Sequence, residues 1–223
     1  MHVAVLDFFM RNIDCREFNG KRVLEVGSKF VNGSVRPLIE RFCNPKEYIG
    51  VDLEPGKYVD LVLPAEGLTN CFGPESFDVV ISTEVLEHVY DWRVVINNMK
   101  VVLKRGGYIY LTTRSYGFPY HAYPYDFWRY EPKDIIRIFS DFEIIRLEAD
   151  WEALGVFLKA RKPIYWRPTD LNDIAVYSII LGKKVKNLVN LNDAPLVNKL
   201  NILLKFRVRQ LLRDLIANML TKR

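Results

Sequence analysis

The sequence predicts an α/β fold in which a mostly parallel β-sheet is covered by helices on both faces. Two observations predict it. Short runs of apolar residues alternate along the chain with segments whose apolar residues recur at helical spacing. The short runs are apolar over most of their length, which is typical of strands that are buried on both faces.

The helices and strands are expected in a regular order. Pro132 stands at a first-turn position, which favours a helix there, and Gly106-Gly107 ends the longest helix. The expected helices are residues 3–17, 34–42 (capped by Asn32 or Ser34), 86–103 and 132–139. The expected strands are residues 22–26, 48–53, 77–82, 108–113 and 142–147. Segments 151–161 and 170–191 fit either a helix or a strand, and residues 177–181 are a candidate for the final strand.

The net charge of +5 is distributed unevenly over the 223 residues. Residues 183–223 hold ten Lys and Arg against two Asp, a balance of +8, so the rest of the chain carries −3. We therefore predict one domain over residues 1–182 and a basic amphipathic helical tail over residues 183–223. A body with a negative balance gives no support to nucleic-acid binding.

The three cysteines, Cys15, Cys43 and Cys71, are odd in number and lie far apart in sequence. Without a Cys-x-x-Cys pair they argue against a disulfide framework and against a zinc site, so no metal is expected. This pattern indicates a reducing compartment, and we expect a cytoplasmic protein. The apolar stretch within residues 1–10 is too short for a signal peptide core or a membrane span.

The first two strands end in residues that suit a nucleoside ligand. The first is followed by Gly27, whose turn lets a ligand approach the backbone, and the second ends at Asp52, an acid that can accept from both ribose hydroxyls. Glu25 lies two residues before the glycine. A carboxylate there would repel a pyrophosphate but favour a ligand with an ammonium group.

Two further segments make the pattern specific. Residues 77–89 read FDVVISTEVLEHV, and residues 103–113 read LKRGGYIYLTT. With the glycine turn and Asp52, these segments resemble class I S-adenosylmethionine-dependent methyltransferases, most closely the methyltransferase type 11 family, over about residues 20–147. The resemblance implies a Rossmann-like fold with a seven-stranded, mostly parallel sheet and S-adenosylmethionine as cofactor.

The resemblance also implies which residues contact the cofactor. Glu25 matches the acid that faces the methionine ammonium, Gly27 the glycine whose backbone runs along the cofactor, and Asp52 the acid on the ribose hydroxyls. The positions that match the adenine and methionine contacts are Leu53, Ala65, Glu66, Thr83 and Glu84. The sequence departs from the family at Lys29, where a glycine is common; this lysine lies either over the pocket or outward.

Segment 115–132 contains eight aromatic residues around one His, one Asp and one Arg, at the carboxyl end of a strand where α/β sheets bind ligands. We expect it to form either the acceptor site or a packed lid. His121 is the first candidate for a general base, and Asp126 either orients it or replaces it. Arg129 either binds an anionic acceptor or pairs with Asp126. The residues expected to stack on a sugar acceptor are Tyr123, Tyr125 and Trp128.

Two residues beside the cofactor positions have simpler interpretations. Glu87 suits the first turn of the expected helix 86–103, where the helix dipole favours an acid. His88 suits a solvated or packed position better than a catalytic one.

The tail after Pro195 has an apolar stripe that includes Val197, Leu200 and Leu204, with basic residues beside it. It packs on the body or on a second copy in a homodimer, or it lies on an anionic membrane. Nucleic-acid contact is the least favoured interpretation.

The sequence therefore predicts an enzyme that transfers a methyl group from S-adenosylmethionine to a small-molecule or glycan acceptor, most simply a hydroxyl. A nicotinamide-dependent oxidoreductase would need glycines at Lys29 and Asn32, and Glu25 would repel its ligand. The other alternative is a catalytically silent methyltransferase-like module that acts through its basic tail at a membrane or a partner protein.

Overall fold

The computed structural model describes residues 2–122, 125–188, 192, 196–200, 203, 204, 207, 208 and 211. The helices are α1 (Val3–Asn12), α2 (Arg36–Cys43), α3 (Leu68–Phe72), α4 (Trp92–Val102) and α5 (Pro132–Ile138), with short 3-10 turns at Cys15–Glu17 and Ala65–Gly67. The strands are β1 (Arg22–Val26), β2 (Glu47–Asp52), β3 (Leu61–Val62), β4 (Phe77–Thr83), β5 (Leu103–Arg114), β6 (Trp128–Arg129), β7 (Glu143–Ala149), β8 (Gly155–Arg161), β9 (Val176–Ser178) and β10 (Lys183–Val185).

Seven strands form the main sheet in the order β3-β2-β1-β4-β5-β8-β7. The five strands from β3 to β5 run parallel, and β8 is antiparallel to both of its neighbours. This arrangement confirms the predicted seven-stranded, mostly parallel sheet. Since the parallel strands all point the same way, the loops that follow β1, β2, β4 and β5 emerge at one edge of the sheet.

The core has two layers, one on each face of the sheet. The side chain of Val80 packs in the layer beneath α3, α4 and α5, and its neighbours Val79 and Ile81 pack in the layer beneath α1 and α2. Successive side chains of a strand point to opposite faces, so a strand between two layers must be apolar at every position. This requirement explains the continuous apolar runs in the sequence.

The helix expected over residues 86–103 begins later, at Trp92. Glu84 takes a left-handed backbone conformation with φ 57°, which ends the strand in a turn and not in a helix. Asp91 then caps α4 by accepting from the backbone amides of Arg93 and Val94, both at 3.2 Å. The expected placement of Glu87 in a first helical turn is therefore wrong, because residues 84–91 form a loop.

The final strand was also expected in the wrong place. β8 completes the main sheet, whereas Val176–Ser178 pairs with β6 and β10 in a separate three-stranded antiparallel sheet. The small sheet crosses the predicted boundary between residues 182 and 183, because β10 pairs with β9 of the body. That boundary was based on the distribution of charged residues, which depends on side chains at the surface and does not indicate which strands pair.

A disulfide joins Cys15 to Cys43, with a Cα–Cα distance of 4.7 Å, and Cys71 is free and exposed. The expectation that no cysteines are paired is wrong. Asn19 and Pro45 form an isolated antiparallel bridge that brings the two segments together, although they lie far apart in sequence. The cysteine pattern therefore no longer supports a reducing compartment.

Residues 196–200 are helical, and most of the helix expected after Pro195 lies outside the described residues. In the part of the chain that the structure describes, no helix is long and apolar enough to span a bilayer.

One buried ion pair ties α4 to the loop after α5. The ammonium group of Lys100 donates to the carboxylate of Asp141 at 2.6 Å and to the carbonyl oxygen of Ile138 at 2.5 Å. Both charged side chains are at most 3% exposed. Asp141 also accepts from the indole of Trp166 at 2.9 Å and from the amide of Thr169 at 3.2 Å. Helix α4 and residues 166–169 therefore both bind one carboxylate in the loop after α5.

We expect Lys100→Met to lower the free energy of unfolding by about 3 kcal/mol, because it leaves the buried Asp141 carboxylate without its cation. Urea denaturation measures this loss. Lys104→Met is the matched control, since Lys104 pairs with Asp78 at a more exposed position, with side chains 39% and 21% exposed. The control should lose less than about 1 kcal/mol. Equal losses in the two variants would contradict the structural role of the Lys100 pair.

Candidate active site

A cavity of about 860 Å³ opens at the edge of the sheet where β1, β2 and β4 end. All eight residues that the sequence assigns to a cofactor line it: Glu25, Gly27, Asp52, Leu53, Ala65, Glu66, Thr83 and Glu84. His121 and Tyr125, from the acceptor segment, line the same cavity. The fold therefore brings together the two groups of predicted site residues, although their roles remain predictions.

The turn after β1 requires a glycine for two reasons. Gly27 has φ +78°, and a Cβ atom there would lie 2.1 Å from the side chain of Val85. The amides of Gly27 and Ser28 both donate to the carbonyl oxygen of Val51, at 2.9 and 3.1 Å. The turn after β1 is thus held between β2 and the loop that follows β4.

Lys29 stands where the family commonly has a glycine. Its backbone amide donates to the carboxylate of Asp52 at 3.0 Å, and its ammonium group pairs with Glu54 at 2.5 Å at the rim of the cavity. The lysine side chain is therefore directed to Glu54. Its amide fixes the carboxylate that the sequence assigns to the ribose hydroxyls.

Glu25 provides a buried carboxyl group in the cavity wall. It is 2% exposed and accepts a hydrogen bond of 2.8 Å from the hydroxyl of Tyr48. Burial raises the pKa of Glu25 to about 7, although the hydrogen bond from Tyr48 and the charge of Arg36 act in the opposite direction. A bound cation would stabilise the ionised form, so an ammonium group fits this position.

Asn98 of α4 holds the turn that contains Ala65 and Glu66. Its amide nitrogen donates to the carbonyl oxygens of Ala65 and Glu66, at 3.1 and 2.6 Å, and its own oxygen accepts from Thr69 at 2.8 Å. This turn is therefore positioned by a helix of the core. Beside it, Leu53 is 68% exposed and can pack on a flat ring in the cavity.

The donors that line the cavity fit S-adenosylmethionine. Glu25 is a buried acid suited to the ammonium group, and Asp52 is an acid suited to the ribose diol. The apolar side chains of Val51, Leu53 and Leu63 also line the cavity and suit the adenine ring.

A cluster of charged side chains lies where β4 and β5 end. Glu84 pairs with Arg114, the last residue of β5, and Arg114 also lies 3.5 Å from Asp150. Burial and the nearby charge of Glu87 raise the pKa of Glu84 to about 8, against the opposing charge of Arg114. Glu87 is fully buried and accepts from the hydroxyl of Thr113 at 2.7 Å.

Sequence reasoning did not assign Arg114 to this cluster. The available signal was its position directly after the apolar run of β5, where the sheet places ligand-binding loops.

His121, which lines the cavity, is hydrogen-bonded to the buried Asp126. The ring nitrogen Nδ1 of His121 lies 2.9 Å from Asp126, which also receives the backbone amide of His121 at 2.7 Å and two hydrogen bonds from Arg129 at 2.6 and 2.9 Å. Burial alone would raise the pKa of Asp126, but these hydrogen bonds lower it to about 2. An ionised carboxylate can only accept, so Nδ1 carries the proton and Nε2 is left as the basic nitrogen.

Burial distinguishes between the two alternatives given for Asp126 and for Arg129, and it contradicts the predicted role of Trp128. Trp128 and Arg129 are fully buried, so they do not present a surface to an acceptor. The indole of Trp128 donates to the carbonyl oxygens of Val89 and Tyr90, and the guanidinium of Arg129 pairs with Asp126. Asp126 is buried as well, which rules out its use as the direct base.

Two tyrosines were also predicted to contact the acceptor. Tyr125 is 65% exposed and stays a candidate for acceptor contact. Tyr123 lies outside the described residues.

Comparison with protein families gives one match. Residues 24–111 match a family model described as a methyltransferase domain, of type 11. A search of curated proteins found no match.

Solved structures show where the fold recurs. One similar chain comes from the complex between the Haloferax volcanii Trm112 methyltransferase activator and a proposed methyltransferase, with a TM-score of 0.60 at 16% identity over 74% of this chain and 90% of the other. An S-adenosylmethionine-dependent methyltransferase from Mesorhizobium loti gives 0.51 at 16% identity, over 72% and 98%.

A third similar structure is the Burkholderia thailandensis 1,6-didemethyltoxoflavin-N1-methyltransferase, which holds 1,6-didemethyltoxoflavin and S-adenosylhomocysteine. Its TM-score is 0.51 at 15% identity, over 72% of this chain and 76% of the other. Identities this low establish a shared fold.

The raised pKa of Glu25 predicts a pH-dependent stability. The folded protein holds this proton up to about pH 7, whereas the group has a pKa of 4.5 when unperturbed. The contribution of protonated Glu25 to the free energy of unfolding is fully present below pH 4.5 and is lost as the pH rises through 7. We therefore expect Glu25→Gln to raise the free energy of unfolding by roughly 3 kcal/mol at pH 8 and to change it little near pH 4.5.

Urea denaturation at the two pH values measures this difference. Glu54→Gln is the control, because Glu54 is exposed and paired with Lys29, and it should show no such gain at pH 8. A Glu25→Gln variant that is no more stable than the parent at pH 8 would show that ionised Glu25 does not destabilise the folded protein.

Proposed function

We propose that this chain methylates a hydroxyl group of a small molecule or a glycan, with S-adenosylmethionine as the methyl donor. The proposal builds on the methyltransferase domain that residues 24–111 match. The observation that carries the proposal is the His121–Asp126 pair at the wall of the cavity that also contains the predicted cofactor residues. A pair of this kind supplies the general base that a neutral hydroxyl needs.

The chain holds the cofactor in the proposed complex through three kinds of contact. Glu25 pairs with the methionine ammonium and Asp52 accepts from the ribose hydroxyls. Thr83 and Glu84 line the methionine arm where the chain leaves β4. The backbone at Gly27 lies along the ligand, and the adenine ring lies among Leu53, Ala65 and Glu66.

Methyl transfer from a sulfonium depends mainly on positioning, because S-adenosylmethionine supplies a methyl group that is already activated. Asp126 holds the ring of His121 with Nδ1 protonated. Nε2 can then take the proton of the acceptor hydroxyl as its oxygen forms the new bond. Arg129 keeps Asp126 ionised throughout, since its guanidinium and Asp126 are buried together.

The acceptor end of the cavity is aromatic and partly apolar. Tyr125 and Phe127 line it beside His121 and Ala122. An aromatic wall of this kind suits the face of a sugar or of a flat ring. The Burkholderia neighbour holds a small molecule together with S-adenosylhomocysteine, which supports a small-molecule acceptor here.

We expect His121→Ala to reduce turnover about 100-fold or more, because the acceptor hydroxyl loses its base. The affinity for S-adenosylhomocysteine, measured by calorimetry, should stay within about twofold. Transfer from methyl-labelled cofactor into small molecules and glycans of a cell extract provides the assay. Tyr165→Ala, at a side chain that is 92% exposed, should behave as the parent does.

Two results would contradict this assignment. A His121→Ala variant that no longer binds S-adenosylhomocysteine would place His121 in the cofactor site. A parent protein that fails to bind S-adenosylhomocysteine would favour the catalytically silent module.

We also propose that the C-terminal tail lies on the surface of a membrane that contains anionic lipids. From Leu196 onward, the apolar side chains that the structure describes are exposed, among them Leu196, Val197, Leu200 and Leu204 at 58–72%. Residues 183–223 carry a balance of +8. Exposed apolar residues beside cationic ones suit the interface of a bilayer that contains acidic lipids.

Vesicle flotation tests the tail. The full chain should bind vesicles that contain phosphatidylserine and bind phosphatidylcholine vesicles weakly, and Lys199→Glu/Arg207→Glu should lose most of the binding. Arg16→Glu/Lys133→Glu, with the same change of charge at exposed sites in the body, should keep it. Equal binding by both double variants would refute the membrane role, and a concentration-dependent dimer that these tail charges disrupt would instead show the tail to be an interface between copies.

A further inference from the structure

We infer that Glu87, His88 and His121 bind a divalent first-row transition metal ion at the acceptor end of the cavity. Glu87 and His88 lie in the loop after β4, and His121 lies in the segment after β5. Their donor atoms all lie within 4.8 Å of one another. The distance from Glu87 Oε1 to His88 Nε2 is 3.9 Å, and the two imidazole rings lie 4.8 Å apart.

The partners of both histidines leave the correct nitrogen for a metal. The Nδ1 atom of His88 lies 2.6 Å from the carbonyl oxygen of Tyr125, and the Nδ1 atom of His121 lies 2.9 Å from Asp126. A carbonyl oxygen and an ionised carboxylate can only accept, so both Nδ1 atoms carry protons. Both Nε2 atoms then hold a lone pair. A ring fixed by a second acceptor in this way is the usual arrangement of a histidine that binds a metal.

Glu87 supplies the third donor. Its side chain is fully buried, and one of its oxygens accepts from Thr113 at 2.7 Å. The other oxygen, Oε1, is buried and has no hydrogen-bond partner within the part of the chain that the structure describes. The nearest guanidinium nitrogen, Nε of Arg114, lies 3.9 Å away, beyond hydrogen-bond distance. A buried carboxylate oxygen without a partner is costly unless a cation occupies the space beside it.

The donor set indicates the class of ion. Two imidazole nitrogens and one carboxylate oxygen suit Zn²⁺, Fe²⁺, Mn²⁺ or Co²⁺, whereas Mg²⁺ and Ca²⁺ prefer oxygen donors alone. Metal–ligand bonds of about 2.1 Å bring donor atoms to about 3–3.5 Å from one another. The side chains would therefore close in by about 1 Å. The expectation of no metal from the sequence considered only cysteine ligands, which this site does not use.

The role of the ion rests on the proposed methyl transfer. Three protein ligands leave coordination positions open for an acceptor oxygen. The O–H bond of a metal-bound hydroxyl breaks and its proton passes to solvent water. The oxygen then bonds to the methyl carbon while the carbon–sulfur bond breaks, and that electron pair stays on sulfur. Nε2 of His121 cannot bind the ion and accept the proton at once, so metal binding would replace the base role of His121.

Cobalt titration tests the site without any methyl donor. The full-length chain, treated with chelator and carrying Cys71→Ser to remove its free thiol, should bind one equivalent of Co²⁺ with the visible absorption of a nitrogen- and oxygen-ligated ion. Zn²⁺ should displace it. His88→Ala, His121→Ala and Glu87→Gln should each weaken binding at least tenfold. His2→Ala removes the one other histidine in the sequence and should bind as the parent does.

The outcomes separate this inference from the proposed function. A parent protein that binds no Co²⁺, or triad variants that bind it as tightly as His2→Ala does, would overturn the metal site and leave His121 as the base. Methyl transfer that proceeds at full rate after chelator treatment would overturn the role of the ion in the reaction. A parent protein that binds one Co²⁺ but transfers no methyl group would contradict the proposed function and leave the metal site standing.

Discussion

The site depends on one constraint, which is that neighbouring parallel strands end at the same level of the sheet. Val26 pairs with Ser82, and Thr83 pairs with Thr112, so the carboxyl ends of β1, β4 and β5 lie side by side. Strand pairing alone therefore brings the loops that follow these strands close to one another. The close packing of Gly27 on Val85 then fixes the spacing between two of these loops. Everything that the cavity does depends on this shared edge.

The buried charged groups of this protein differ in how completely they are paired. Lys100 and Asp141, neither of which lines the cavity, neutralise each other and hold two segments of the chain together. Asp126 is satisfied on every side, which gives His121 a fixed orientation. Glu25 is buried in the lining of the cavity, and Glu87 is buried next to His88, which also lines it. The two carboxyl groups to which we assign a ligand thus have fewer protein partners than those that support the fold.

Sequence reasoning succeeded where a residue type is dictated by backbone geometry or by burial on both faces. The continuous apolar runs identified β1, β2, β4 and β5, and Gly27 and Asp52 located the cavity. It failed where the outcome depends on three-dimensional proximity. Cys15 and Cys43 meet because the nearby residues Asn19 and Pro45 form a backbone bridge. Trp128 turns inward to donate to the carbonyl group of Val89, which is far from it in the sequence. The helical spacing after residue 86 concealed a loop, because Glu84 adopts a backbone conformation that spacing does not predict.

The acceptor segment contains two kinds of aromatic residue, and this division determines how the enzyme can change. Tyr120, Phe127, Trp128 and Tyr130 are anchored in the interior, so substitutions there would disturb the fold. Tyr116 and Tyr125 are 56% and 65% exposed. In the proposed acceptor site, Ala122 and Tyr125 line the cavity and can change without disturbing the interior residues. A directed-evolution library that varied only these two positions would therefore be small.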